Sequence, residues 1–218
     1  MLALLHTSPV HVPVFDALRD GAHPNLELRH FVDEELLCRA RREGPAAVTD
    51  EVRAVLRGAV AEGARAVLCT CSTIGGVAEA EAAAAGFSVP VLRVDRPMAA
   101  AAVAAGPRVV VLAALRSTLA PTVALVDEEA RRARRSVTVR SVLVDAAWPR
   151  FEAGDTEGYV REVAAAADRV TDADMIVLAQ ASMAPARHAA TTPVPVLSSP
   201  APGLAAAARA VRAVTPRT

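Results

Sequence analysis

Lysine is absent from this sequence: its 218 residues carry 24 basic side chains, and every one is arginine. No Schiff base to pyridoxal phosphate can form on such a chain, and no P-loop lysine can meet a nucleotide's phosphates. Aromatic residues are scarce, at 3%, which leaves little platform for stacking nucleic-acid bases. Net charge is also missing, because 24 acidic residues cancel the arginines. That balance argues against nucleic acid or an anionic membrane as partner. No run reaches the roughly 18 apolar residues of a membrane span. The opening MLALLHTSPVHVPVF lacks a basic n-region and reads as a strand and loop, not a signal peptide. Cysteine is limited to Cys38, Cys69 and Cys71, an odd number that fits free thiols in a reducing cytosol; a cytoplasmic protein is expected. Cys69 and Cys71 are badly placed to pair, since side chains i and i+2 of a strand extend in parallel. No CxxC, HExxH or similar cluster occurs, so no metal site is expected.

What is present is apolar: hydrophobic residues make up 53% of the chain, enough for a sizeable core. Short β-branched runs predict strands at Leu2–His6, Leu26–Val32, Ala64–Cys69, Val89–Val94, Arg108–Ala113, Val137–Val144, Asp174–Gln180 and Val194–Leu197. Between them DEVRAVLRGAVAEGA, STLAPTVALVDEEARRARR and TEGYVREVAAAADRVTDA space their apolar residues helically. A last helix is predicted over Gly203–Val214. Strand–helix alternation predicts parallel α/β sheets. The run EEARRARR (128–135) reads as a solvated helix face with charges of both signs at helical spacing.

The chain also repeats itself weakly. ARAVLCTCSTIGG (64–76) lines up with ADMIVLAQASMAP (173–185), and each is followed by a VPVL strand. Two copies of one strand–turn–helix–strand unit predict two pseudo-symmetric halves. The expected division is residues 1–96 plus 200–218 in one half and 97–199 in the other, with a linker near Asp95–Met98.

Ligands of parallel α/β sheets bind beyond the carboxyl ends of the strands. Cys71 stands at such an end, ahead of a helix predicted to begin near Thr73, where a thiol meets free N–H groups. Cys69, inside the apolar run, reads as a small buried hydrophobe. His6 closes the first strand and is a candidate partner of Cys71 or an acid/base near neutral pH. Ser117 and Thr118 open a helix after a strand and suit an anion or an N-cap. Asp33 reads as a helix cap with some reach toward the site, and Asp95 as part of the hinge.

Four separated motifs, TCST after a strand, VLRVDRPMAAAAV, VVVLAALRSTLAPT and VLAQASMAP, together resemble the aspartate/glutamate/hydantoin racemase superfamily. The resemblance covers most of the chain in strand order. It implies two pseudo-symmetric lobes, each a parallel-sheet α/β sandwich, with the active site in the interlobe cleft and no cofactor. In that family one cysteine from each lobe faces opposite sides of the substrate's α-carbon. Cys71, Ser72 and Thr73 match the first-lobe element, whereas the second-lobe position is Ala181, which has no proton to give or take. Two-base racemisation is therefore in doubt. A one-cysteine relative of similar fold, arylmalonate decarboxylase, protonates one face of an enediolate; its cysteine is in the opposite lobe, so the comparison supports the one-base logic and not the substrate. The resemblance further implies that Thr7, Ser72, Thr118 and Ser182 hold carboxylate oxygens, with Thr73, Ser117 and Ala181 lining the same site.

The expected function is a cofactor-independent enzyme acting through Cys71 at the α-carbon of a small carboxylate. Racemase, decarboxylase and isomerase chemistry all stay open. A non-catalytic small-anion binder and a Cys71–His6 hydrolase are the alternatives. No nucleic-acid or membrane partner is expected, and a homodimer is the default assembly.

Overall fold

The computed structural model describes residues 1–213. Two compact units divide it. The first is Met1–Val94 together with the chain from Pro200 onward; the second is Asp95–Ser199.

The first unit contains β1 (Leu2–His6), α1 (His11–Ala22), β2 (Leu28–Val32), α2 (Glu34–Glu43), a 3-10 turn at Pro45–Val48, α3 (Thr49–Ala61), β3 (Ala66–Cys69), α4 (Gly75–Ala85) and β4 (Val91–Arg93). The second contains α5 (Arg96–Ala105), β5 (Arg108–Ala113), α6 (Arg116–Ala133), β6 (Thr138–Leu143), α7 (Ala147–Glu152), α8 (Thr156–Asp168), β7 (Met175–Leu178), a 3-10 turn at Ala181–Met183, α9 (Ala186–Ala189) and β8 (Val196–Ser198). The chain then returns to the first unit as α10 (Pro200–Ala213). Val214, the expected end of that helix, lies outside the described residues.

Each unit is built on a four-stranded, all-parallel sheet, ordered β2-β1-β3-β4 in the first and β6-β5-β7-β8 in the second. The order is the same once four is subtracted from each number. The sequence repeat is thus a repeat of topology, and Leu68, paired with Leu4, has its counterpart in Leu178, paired with Leu112.

Alternation along the strands separates two cores in each unit, as expected when a parallel sheet is covered on both faces. In the first, Leu2, Leu4, Ala66 and Leu68 pack with Phe15 of α1 and Leu204, Ala207 and Val211 of α10. Ala3, Leu5, Val67 and Cys69 point the other way, against Leu36, Val52, Leu56 and Ile74. In the second, Leu112, Ile176 and Leu178 meet Tyr159 and Val163 of α8. Val111, Ala113 and Val177 meet Met98 and Ala102 of α5 and Leu125 and Val126 of α6.

Helix α10 approaches the first sheet closely because of Gly203. A Cβ built there would stand 2.5 Å from the Val94 carbonyl oxygen. Backbone cannot yield as a flexible side chain can, so Gly203→Ala is expected to destabilise the protein by about 2–3 kcal/mol. Urea unfolding of the two proteins reads this difference directly.

Three expectations change. The opening stretch, read as a strand and loop, is helical from His11, where α1 begins. The linker near Asp95–Met98 is largely helix: α5 starts at Arg96, with Pro97 in its first turn, where a missing N–H costs nothing. The run EEARRARR is not wholly solvated. Glu129 is only 6% exposed and takes Arg96 at 2.5 Å, because α6 turns this side of its face toward α5. Among the described residues, no helix is long and apolar enough to cross a membrane.

Candidate active site

The carboxyl end of the first sheet is where β1 and β3 release their chains. β3 ends at Cys69, wholly buried, whose Sγ lies 3.7 Å from the Cys71 carbonyl oxygen. Cys71 is partly exposed and is packed against the same core as Cys69. Ser72 and Thr73, next along the turn, are buried. Helix α4 begins at Gly75, two residues later than expected, since Ser72–Ile74 turn before the helix starts.

The reason for the two glycines lies in a residue that the sequence reading passed over. Arg93, on β4 and paired with Cys69, is 5% exposed and donates from Nη2 to the Ser72 carbonyl oxygen at 3.4 Å. Its side chain crosses the first turn of α4. A Cβ at Gly75 would meet the Arg93 Cβ at 2.9 Å, and one at Gly76 its Nη1 at 3.3 Å. The loop carrying Cys71 is therefore braced by a buried guanidinium whose path leaves no room for a Cβ at Gly75 and little at Gly76.

His6 is wholly buried, and both its ring nitrogens are engaged. Nδ1 is 2.8 Å from Thr70 Oγ1 and Nε2 is 2.8 Å from His30 Nδ1. Thr70 Oγ1 also lies 3.0 Å from the Leu5 carbonyl oxygen, and His30 Nε2 lies 3.3 Å from Asp16 Oδ1. His6 stacks on His30 and tilts against Phe15 and His11. Burial, followed by the neighbouring His11 and His30, lowers its pKa to about 3, and burial lowers that of His11 to about 4. Parity explains the partner. Leu5 pairs with Cys69, so the next pair in register is His6 with Thr70, on the α1 and α10 side. Cys71 belongs to the opposite face, and its counterpart on the first strand's exit is Thr7, 5% exposed. His6 thus has no ring nitrogen left for Cys71.

Asp33 caps α2, accepting from the Glu35 N–H at 3.1 Å. Asp95 is wholly buried ahead of α5.

The second sheet's carboxyl end carries the other candidates. Leu115 precedes α6, whose first turn holds Ser117 and Thr118. Thr118 is buried, and Ser117 Oγ is buried with no hydrogen-bond partner among the described residues. A buried hydroxyl left unpaired is unusual, since such groups nearly always find a partner. Beyond β7, Gln180 accepts at Oε1 from the Ala114 N–H at 2.6 Å and the Leu115 N–H at 3.3 Å. Ala181 is buried in the place corresponding to Cys71, and Ser182 Oγ lies 2.8 Å from the phenol oxygen of Tyr159. Among the described residues no group of three or more His, Cys, Asp or Glu is placed to hold a metal ion.

Known proteins share this architecture. Glutamate racemase isoform RacE1 from Bacillus anthracis superposes with a TM-score of 0.76 at 16% identity, covering 97% of this chain and 81% of that one. Picrophilus torridus aspartate racemase gives 0.67 at 15% identity, with 97% and 94% covered. The Gly74Cys mutant of arylmalonate decarboxylase gives 0.64 at 20% identity, with 98% and 94% covered. No curated protein matches the sequence. These identities carry the fold alone. The sequence itself matches the Asp/Glu/Hydantoin racemase family over residues 12–210, nearly its whole length, and so the chain belongs to that family.

Proposed function

We propose that this protein is a cofactor-independent enzyme that works at the α-carbon of a small carboxylate, with Cys71 as its single proton-carrying thiol. The observation that carries the proposal is the asymmetry of the repeat. A partly exposed cysteine follows β3, and a buried alanine stands at the matching place after β7. Membership of a racemase family and likeness to an arylmalonate decarboxylase support chemistry at such a carbon.

An α-proton beside a carboxylate is a very weak acid, so the carbanion must be stabilised as an enediolate by aimed donors. Thr7, Ser72, Thr73 and the N–H groups ahead of α4 offer such donors in the first unit; Ser117, Thr118 and Ser182 offer them in the second. Inversion needs an acid and a base on opposite faces of the carbon, and Ala181 can be neither. The reading therefore favours a one-sided reaction on a malonate. The bond to one carboxylate breaks and carbon dioxide leaves. Its electron pair enters the enediolate, and the Cys71 S–H then protonates the carbon. Water returns the proton to sulfur. A hydrolase using His6 finds no support in the ring's contacts with Thr70 and His30.

The test is incubation in heavy water with a panel of 2-substituted carboxylates and malonates. One deuterium is expected at the α-carbon, in a single-handed product from a prochiral malonate. A racemic product would replace the one-base reading with a two-base one. Binding without exchange or carbon dioxide release would make the protein an anion binder instead.

A further inference from the structure

Tyr159 is the only tyrosine in the sequence and is 1% exposed, packed among Val110, Leu112 and Val163, with its ring tilted against Phe151 at 5.3 Å. Its hydroxyl has one hydrogen-bond partner among the described residues, Ser182 Oγ at 2.8 Å. Burial raises the phenol's pKa well above its ordinary value, so it keeps its proton. Two arrangements satisfy the distance. If Ser182 donated, the phenol's own proton would point into an apolar core with nothing to accept it, and such a loss is costly. If Tyr159 donates, the phenol is satisfied and the Ser182 proton remains for another acceptor. Ser182 is only half-buried, in the turn beside Ala181, so that acceptor lies on its exposed side.

We infer that Tyr159 is a positioning residue: by donating to Ser182 Oγ it commits the serine's own proton to a carboxylate oxygen of the substrate. This rests on the proposed small-carboxylate function and deepens it by naming what makes Ser182 a one-way donor. Donation into a hydroxyl also polarises it, which strengthens the bond it makes in turn.

Malonate serves as the probe, with binding measured by calorimetry for the wild type, Tyr159→Phe, Ser182→Ala and the double variant. Phenylalanine keeps the ring in place, so its melting temperature should fall by only a few degrees. Malonate affinity should fall about 3–10-fold in Tyr159→Phe. The Ser182→Ala variant should fall at least as far, and the double variant no further than Ser182→Ala. Ser182→Thr, which keeps the hydroxyl, should recover most of the affinity. Wild-type affinity in Tyr159→Phe, or losses that add in the double variant, overturns the inference and leaves the proposed function standing. A wild-type chain that binds neither malonate nor any carboxylate of the exchange panel overturns both. Should Tyr159→Phe fail to fold, the hydroxyl proton of the sole tyrosine is read by NMR in otherwise intact protein. Slow exchange that becomes fast in Ser182→Ala supports donation to Ser182; exchange indifferent to Ser182 overturns it.

Discussion

Replacing Cys71 with alanine is expected to lower α-deuterium incorporation at least ~100-fold, the usual scale for removing a positioned acid or base. The fold should survive, because Cys71 is partly exposed and lies beyond the end of β3. Cys69→Ala is the matched control. Its sulfur is wholly buried among Leu5, Val67 and Ile74, so its loss should cost about 1 kcal/mol of stability and leave exchange within about twofold. The pair of variants thus separates packing from chemistry at two thiols one residue apart. Equal exchange in Cys71→Ala and wild type would sink the proposed function, whatever the stability data show.

Acid should unfold this protein well before its carboxylates are protonated. His6 and His11 are held neutral in the fold, with pKa values of about 3 and about 4, while in the unfolded chain they titrate near 6.5. The unfolded state therefore binds more protons at every pH between those values. The stability these residues contribute is complete above about pH 6.5 and drains away as pH falls toward 3–4. The slope is about 1.4 kcal/mol per pH unit for each histidine. Between pH 6.5 and 4.5 the two together should remove roughly 3–5 kcal/mol, a large share of an ordinary domain's stability. The groups facing them are His30, whose ring stacks on His6, and Asp16, which lies against His30. Asp155, held low by the Gly158 N–H and by Arg150, and Asp174, held low by the Arg108 guanidinium and N–H, lose their contributions in a lower window, below about pH 4. Urea midpoints at pH 7.5, 6.0 and 5.0 measure the slope. The His6→Gln variant should show about half the wild-type slope, and an unchanged slope would remove His6 from the account.

Much of the fold was legible in the sequence. All eight expected runs are strands, two of them (Leu2–His6 and Arg108–Ala113) with the expected ends. Buried parallel strands read as unbroken β-branched runs, and few other elements look like that. The repeat was legible for a related reason, since VLCTC and VLAQA each end a central strand in sheets of the same order. Helices were harder. At the start of α1, Val14 and the preceding Val10 are exposed while Phe15 is buried, so the apolar spacing gives no clear face. Glu129 looked like a surface charge because a single sequence does not show Arg96 waiting opposite it.

The candidate site divides along the same line. Cys71, Ser72 and Thr73 were legible because small polar residues after an apolar run mark a strand's carboxyl end. The contacts of His6 were not. Its place next to Cys71 in the sheet or away from it turns on the register of β1 against β3, and a shift of one residue exchanges the two faces. The symmetric places show the same dependence: His6 reaches Thr70 in the first sheet, whereas in the second an alanine stands at His6's place and the long Gln180 reaches back to the Ala114 N–H. A long side chain on one strand pairs with a short one on the other, in opposite senses.

By itself, then, the sequence determined two parallel α/β units, the family, the cysteine after the third strand and the alanine at the repeat-related place after the seventh. Each is a matter of local pattern and order along the chain. Only the tertiary structure decided that His6 belongs to Thr70 and His30, that Arg93 reaches the Ser72 carbonyl in the Cys71 loop, and that the Tyr159 hydroxyl meets Ser182. Those pairs join residues 21 to 64 positions apart, across register and helix packing that hydrophobic pattern alone leaves free.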